Sequence, residues 1–393
     1  LAIAEQFNVR SVSYRSSLDG VRGIAVLSVV MGHAQGLIFA HSIGPLDFSG
    51  GFIGVDIFFV LSGFLITSLL LNEYQTSSGN ISLKNFYIRR SLRLLPGLLV
   101  FLLAMLAYSR FALSPKVARD TLKFTGVVIL YVTNWVRAFE WLPGSDLLGH
   151  LWSLAVEEQF YLIWPPLLLV LLRLRIPRHS LTILVGGLIV LAVLHRVNLL
   201  IRGGFWEGRI YLGSDTRADS LLMGCLVAMV HQWRMLPDGK VFNRVMRAVT
   251  VAAHFTLFVY FVDAFGIRTQ TFFTFGLTGV AFAVGIVILQ AMRSTANPLL
   301  SVLENRFLVY VGKISYGLYL WHFFAIEITL RLPVGNPIKL VLSLLALFAI
   351  SGASFYCVER PFLKLKNRFA AGAQRTASEP ILIESKLATA ECS

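Results

Sequence analysis

Charge is what this sequence has least of. Only 14% of its 393 residues are Asp, Glu, Lys or Arg, against roughly 25% in an ordinary soluble domain. A soluble protein of this length would carry more, because its surface must be wetted. Cysteine is also rare: Cys225, Cys357 and Cys392 lie far apart, which excludes a disulfide scaffold. No P-loop, GxGxxG, HExxH, CxxC or EF-hand pattern occurs, so no metal site, ATP-driven transport or dinucleotide chemistry is expected. Hydrophobic residues make up 56%, which excludes a disordered chain. What remains is an all-α, polytopic membrane protein. Its net charge of +14 would suggest nucleic acid in a soluble protein. In a membrane protein, basic cytoplasmic loops meeting anionic lipid account for it, and no nucleic-acid partner is expected.

A helix needs about 20 mostly apolar residues to cross a bilayer. Eleven apolar segments have suitable length and period: 21–40, 51–71, 94–112, 122–136, 152–172, 181–201, 217–231, 246–263, 271–291, 309–330 and 338–357. Suppose the N-terminus is cytoplasmic and 122–136 does not cross. Most lysines and arginines then fall on the cytoplasmic side, among them Arg173, Arg175, Arg178 and those from Arg360 onward. If 122–136 crossed, every later loop would flip and these would face outward. The segment is short and holds Tyr131, Thr133, Asn134 and Trp135. The expectation is a bundle of ten transmembrane helices in the inner (plasma) membrane, with both termini cytoplasmic. Segment 122–136 is expected to be re-entrant or to lie at the outer interface, where protein or water covers its irregular backbone. One membrane domain, 18–362, sits between tails at 1–17 and 363–393.

A charged side chain near the bilayer centre costs roughly 2.5–3.5 kcal/mol on insertion scales, so the exceptions are informative. In LDGVRGIAVLSVVMGHA, Arg22 and His33 lie eleven residues apart. That spacing returns nearly to one helix face, with a rise of roughly 16 Å. Taken singly, Arg22 reads as a snorkelling arginine and His33 as a hydrogen-bonded structural histidine; the pair reads as one polar face. His322, with Tyr319 a turn below it, Glu157 and Glu158, Asp56, and Arg217 with Asp219 come from four other segments at a similar depth. Together they imply a shared polar cavity in the outer half of the membrane. Adjacent residues cannot both face it on a regular helix; Glu157 is favoured, with Glu158 left to an outer basic partner. Across the membrane, Arg89, Arg90 and Arg93 precede the third span. Plain positive-inside topology explains them, but with Arg22 nearby they suit a phosphate-bearing ligand, because guanidinium binds phosphate bidentately.

The segments LDGVRGIAVLSVVMGHA, GGFIGVDIFFVLSGFLIT, FYIRRSLRLLP, LWSLAVEEQFYLIWP, TRADSLLMGC, ISYGLYLWH and CVERPF occur in that order. Over about 18–362 the chain resembles the acyltransferase 3 family of integral-membrane acyltransferases, whose Arg-x10-His falls on Arg22 and His33. The resemblance implies transfer of an acyl group, commonly acetyl, from cytoplasmic acyl-CoA to a carbohydrate or glycolipid hydroxyl. O-antigen, exopolysaccharide and peptidoglycan are typical acceptors. It further implies the standalone type, without the SGNH hydrolase-like domain that many members carry. Arg22, Arg89, Arg90 and Arg93 would hold the CoA phosphates. His33 would be the general base, since an unperturbed imidazole titrates near neutral pH, with an acyl-histidine intermediate as the variant. Glu157 or Asp56 would orient His33 or the sugar, and His322 and Tyr319 would position the acyl group or the oxyanion. Arg217, Asp219, Trp152 and His150 are, with Tyr319, the substrate-binding candidates. A reading from another class, a secondary transporter or proton-coupled exporter, fits buried His, Glu and Arg equally well. Against it, no duplicated half with broken helices is evident. Acceptor identity and oligomeric state are not legible in the sequence.

Overall fold

The computed structural model describes residues 15–39, 47–143, 147–203, 207–262, 269–293, 298–366 and 369. Among these, every regular element is a helix. Helix α1 (Ser16–Ala34) is followed by α2 (Ile53–Thr76), α3 (Leu83–Ala112), α4 (Pro115–Ile129) and α5 (Thr133–Ala138). Then come α6 (Trp152–Arg173), α7 (Arg178–Gly203), α8 (Glu207–Leu212), α9 (Ser214–Gln232) and α10 (Lys240–Phe261). The described chain closes with α11 (Leu277–Arg293), α12 (Pro298–Leu303), α13 (Arg306–Lys313), α14 (Ser315–Leu330), α15 (Asn336–Ser354) and α16 (Arg360–Lys366).

Among the described residues, seven helical stretches are long and apolar enough to cross a membrane: Ser16–Phe39, Ser49–Thr76, Leu83–Ala112, Gly149–Arg173, Arg178–Gly203, Phe272–Arg293 and Asn336–Leu365. The protein is therefore a multi-pass membrane protein. The other three expected crossings are helical too, but each departs from a plain apolar span. Helix α9 carries Asp215, Arg217 and Asp219 in its first turns, and α10 opens with Lys240, Arg244 and Arg247. The span expected at 309–330 is split into α13 and α14 at Ile314. Segment 122–136 is broken as well, at a turn where Tyr131 has φ 53°. Its 15-residue helix α4 rises only about 22 Å, too little to cross.

Backbone-to-backbone packing explains the glycines of the ordered motifs. A Cβ on Gly63 would stand 1.9 Å from the Leu221 carbonyl oxygen, and one on Gly224 would stand 2.0 Å from that of Val60. Helices α2 and α9 thus touch where neither can carry a side chain. Gly20 and Gly312 lock α1 to α12 and α13 in the same way, each 1.8 Å from a carbonyl oxygen, of Leu303 and Asp19 respectively. In lipid, where burial of apolar surface does not draw helices together, such close approach is the main source of packing energy. Helix α2 also packs against α1 and α6, and α14 packs against α1, so that α1, α2, α6, α9 and α14 adjoin one another. Exposed Ile, Leu and Val side chains on α7 and α15 face outward, as a lipid-facing surface requires. The greater part of both tails, and His41, lie outside the described residues.

Candidate active site

A polar seam runs through the bundle. On α6, Ser153, Glu157 and Tyr161 recur every fourth residue and so share one face, with His150 in the turn that leads into the helix. The Tyr161 hydroxyl donates to Glu157 Oε2 at 3.1 Å, and the Ser62 hydroxyl of α2 donates to Glu157 Oε1 at 3.1 Å. Ser153 Oγ lies 2.7 Å from the Tyr319 hydroxyl, which donates to the His150 carbonyl oxygen at 2.5 Å. The stripe from Tyr161 to His150 and the run from Arg22 to His33 each span eleven residues, or roughly 16 Å. One end of the seam is lined by arginines and the other by histidines.

At the arginine end, Arg90 lies 3.7 Å above the Tyr161 ring. It pairs with both Glu157 (3.5 Å) and Glu158 (3.1 Å). Both glutamates therefore meet the same cation, because Arg90 reaches between them. Arg22 pairs with Asp19 at 2.5 Å, and Arg89 turns away to Glu73 at 3.1 Å and the Phe369 carbonyl oxygen at 2.8 Å. Arg93 shares its electrostatic surroundings with Arg22 and Arg90. Among the described residues it makes no ion pair of its own. Glu359, from the CVERPF segment, is buried close enough to act on Arg93.

At the histidine end, His322 Nε2 and His33 Nδ1 are 3.1 Å apart, and His322 Nδ1 is 2.7 Å from the Tyr319 carbonyl oxygen. A carbonyl oxygen only accepts, so the proton of neutral His322 is on Nδ1 and its lone pair on Nε2. Nε2 then accepts from His33 Nδ1–H, which leaves the lone pair of His33 on Nε2. His150 Nε2 donates to the Leu320 carbonyl oxygen at 3.2 Å, and its ring meets that of His322 edge-on at 4.9 Å. Phe323 packs 4.8 Å from each of the three imidazoles.

His33 also lines an open cleft of about 340 Å3, with Arg137, Trp152, Gly208, Tyr211 and Leu212 as the other walls. The broken segment leads into Arg137, and the side-chain amides of Gln159 and buried Asn134 hold that segment in place. Gln159 Nε2 donates to the Tyr131 carbonyl oxygen at 2.7 Å and to Asn134 Oδ1 at 2.9 Å. Asn134 Nδ2 donates in turn to the Leu212 carbonyl oxygen at 3.2 Å and to Ser214 Oγ at 2.9 Å. The irregular backbone is thus covered by protein.

The remaining candidates form a separate network. Arg217 pairs with Asp56 at 2.5 Å, Ser220 donates to the same carboxylate at 3.0 Å, and Arg196 pairs with Asp219 at 2.8 Å. All four charged residues are fully buried. Asp56 is engaged there, and His33 is held by His322. The single cavity expected from the sequence is therefore divided: the charges of α2 and α9 neutralise one another, while those of α1, α6 and α14 line the seam. Arg217 backs the cleft, 5.1 Å from the centroid of the Tyr211 ring. At the outset of α9, Arg209 and His195 flank Asp215 at 2.5 and 2.8 Å. Burial opposes the charged form of Asp215, but these partners outweigh it and hold the carboxyl below its ordinary range. Sequence reasoning passed over Arg137, Ser153, Gln159, Arg196 and Glu359. The polar period of α6 carried a signal for Ser153, and LWSLAVEEQF contains Gln159.

Comparison with known proteins bears on this arrangement. The profile of an acyltransferase domain matches residues 15–358. The peptidoglycan O-acetyltransferase OatA of Listeria monocytogenes is 36% identical over 374 residues, covering 90% of this chain and 56% of its own. A Bacillus subtilis protein named "Putative peptidoglycan O-acetyltransferase YrhL" is 32% identical over 367 residues, covering 88% of this chain and 55% of its own. The chain thus spans little more than half the length of these relatives. No solved structure matches it.

Proposed function

The chain belongs to the acyltransferase family whose domain spans residues 15–358, and from that premise we propose that it moves an acetyl group from acyl-CoA to a hydroxyl of a cell-envelope carbohydrate. The observation that carries this reading is the His322–His33 contact at 3.1 Å, with His33 lining a cleft and lying at the far end of a seam from an arginine cluster. The named activity of the relatives supports acetyl as the group and a peptidoglycan-type glycan as the acceptor. In this reading the arginine end faces the cytoplasm, as do both termini.

The donor side fits. Arg93, with Arg22 and Arg90 beside it, gives the diphosphate of CoA a cationic seat. Arg89, already paired with Glu73, contributes at most through the field. The pantetheine arm follows the seam and delivers the thioester to the histidines. There the acceptor hydroxyl attacks the thioester carbonyl carbon while His33 Nε2 takes its proton. The carbon–sulfur bond breaks, and the same proton passes to the leaving sulfur. His322 acts as a positioning residue: its Nε2 fixes the His33 tautomer and accepts from the imidazolium once it forms. Tyr319 and Ser153 hold the turn that carries His150. Asp56, Arg217 and Asp219 brace the cleft from behind.

The test is His33→Ala in stably inserted protein, followed by mass spectrometry of envelope glycans and by acetyl-CoA consumption. Loss of a general base lowers the rate by about 10²–10⁴-fold. Transfer at the normal level would refute the assignment, and solute transport in liposomes without acetyl-CoA consumption would favour an exporter instead.

A further inference from the structure

Helix α10 packs on α11 and presents its other side outward. Thr250 and Ala253 are its buried residues. Met246, Leu257, Tyr260 and Phe261 pack more loosely on the same core. Away from that contact, Lys240, Arg244, Arg247, Val251, Phe255 and Phe258 are all exposed. They recur at steps of three or four residues, so they share one face of the helix, within about 80° of arc.

This face changes character along its length. Its first half is cationic, and its second half is apolar, with Phe255 68% and Phe258 61% exposed. From Arg247 to Phe258 the rise is about 16 Å, close to the roughly 15 Å of hydrocarbon in one leaflet. From Lys240 to Arg247 it is about 10 Å, which spans the headgroup layer beside that leaflet. Gln232, at the end of α9, donates to the Ser68 carbonyl oxygen of α2 at 3.0 Å. Helix α2 runs on from there to Glu73, the partner of Arg89. Helix α10 therefore opens at the arginine end of the bundle.

The three cations are not neutralised by the protein. Among the described residues none of them forms an ion pair, and Asp238, the acid nearest in sequence, is taken by Arg293 at 2.8 Å. Arg247 donates to the Asn243 carbonyl oxygen at 3.4 Å. Like charges three and four residues apart on a helix repel one another, and an anion lying across them removes that repulsion. A free phosphate would use the cations and leave the apolar stripe without a role. A zwitterionic phospholipid would cover the stripe but bring its own ammonium to the cations. An anionic phospholipid matches both halves.

We propose that this face binds one anionic diacyl phospholipid, with its phosphate seated on Lys240, Arg244 and Arg247 and its chains lying along Val251, Phe255 and Phe258. The site is separate from the seam and from His33, and it does not depend on acyl transfer.

The test is native mass spectrometry of the full protein in detergent, titrated with dioleoylphosphatidylglycerol, dioleoylphosphatidylcholine and glycerol 1-phosphate. Phosphatidylglycerol is expected to bind about tenfold to a hundredfold more tightly than phosphatidylcholine, and Arg244→Gln and Arg247→Gln should each weaken it about fivefold. Arg244→Lys should retain most of the binding. Arg175→Gln removes an exposed cation from the turn between α6 and α7 and should leave it unchanged. Equal binding of the two lipids by the wild-type protein would overturn the proposal without reference to any variant. Equal losses in Arg175→Gln and Arg244→Gln would also overturn it, by reducing the effect to overall charge. So would displacement of phosphatidylglycerol by an equal concentration of glycerol 1-phosphate, which would make the seat a plain anion site with no use for the chains.

Discussion

At the residue scale, the pairing of His33 with His322 spans 289 positions of sequence, and no local pattern could have announced it. The sequence places both at a similar depth. It could not say that His322 Nδ1 is committed to a backbone oxygen, and that commitment fixes which nitrogen of His33 is basic. It follows that His322→Ala should lower kcat by about tenfold to a hundredfold through loss of one hydrogen bond to a charged group. His322→Gln should recover part of this, because its side-chain oxygen accepts the same bond, and KM for the donor should not move. Steady-state kinetics on the three proteins decides it; a larger loss in Gln than in Ala would sink the positioning role. The arginines differ in a similar way. All four read alike in sequence, as basic residues at a helix entrance. The fold gives Arg89 to Glu73 and leaves Arg93 facing Arg22 and Arg90. Arg93→Gln should therefore raise KM for acyl-CoA by about tenfold or more, with a small effect from Arg89→Gln. Equal effects would mean that the cluster acts only through its total charge.

At the scale of elements, the ordered motifs are as much about packing as about chemistry. The glycines of GFIGVDIFFVLSGFLI and SLLMGC were legible as sequence markers, but their purpose lies in the crossing of α2 and α9. A Cβ at Gly63 would stand 1.9 Å from backbone, and backbone cannot swing aside. Gly63→Ala should destabilise the bundle by ~1–3 kcal/mol or more, the range of overpacking. Gly187 on α7, where an added Cβ would meet nothing within 4 Å, is the matched control. Gly187→Ala should be neutral, and thermal unfolding in detergent with both proteins measures the difference. Comparable midpoints would show that the two helices can separate without loss. The broken segment makes the opposite point. Its polar residues were legible as a reason not to cross. That Asn134 and Gln159 stitch it to α6 and to the α8–α9 junction depended on contacts between segments that no single helix reveals.

At the scale of the molecule, low charge content identified the solvent, and the all-helical, multi-pass bundle followed from the apolar periodicity. Orientation is a different matter, because helices packed in a bundle look the same from either face. It rests on the distribution of basic residues, and the proposed chemistry sharpens what that distribution must satisfy: the arginine end has to meet cytoplasmic acyl-CoA. Two exposed sites discriminate. Glu140 follows α5 at the cleft end of the protein, whereas Arg175 lies in the turn between α6 and α7, beyond the arginine end of the α6 stripe. In a Cys357→Ser background, which removes an exposed thiol, Glu140→Cys should react with a membrane-impermeant maleimide added outside intact cells. Arg175→Cys should react only after the inner face is opened. Labelling of both from one side would mean that α6, the one span between them, does not cross. Reversal of the two sides would put the histidine end in the cytoplasm. The seam would then run the wrong way for a cytoplasmic donor and an envelope acceptor, whatever the geometry at His33.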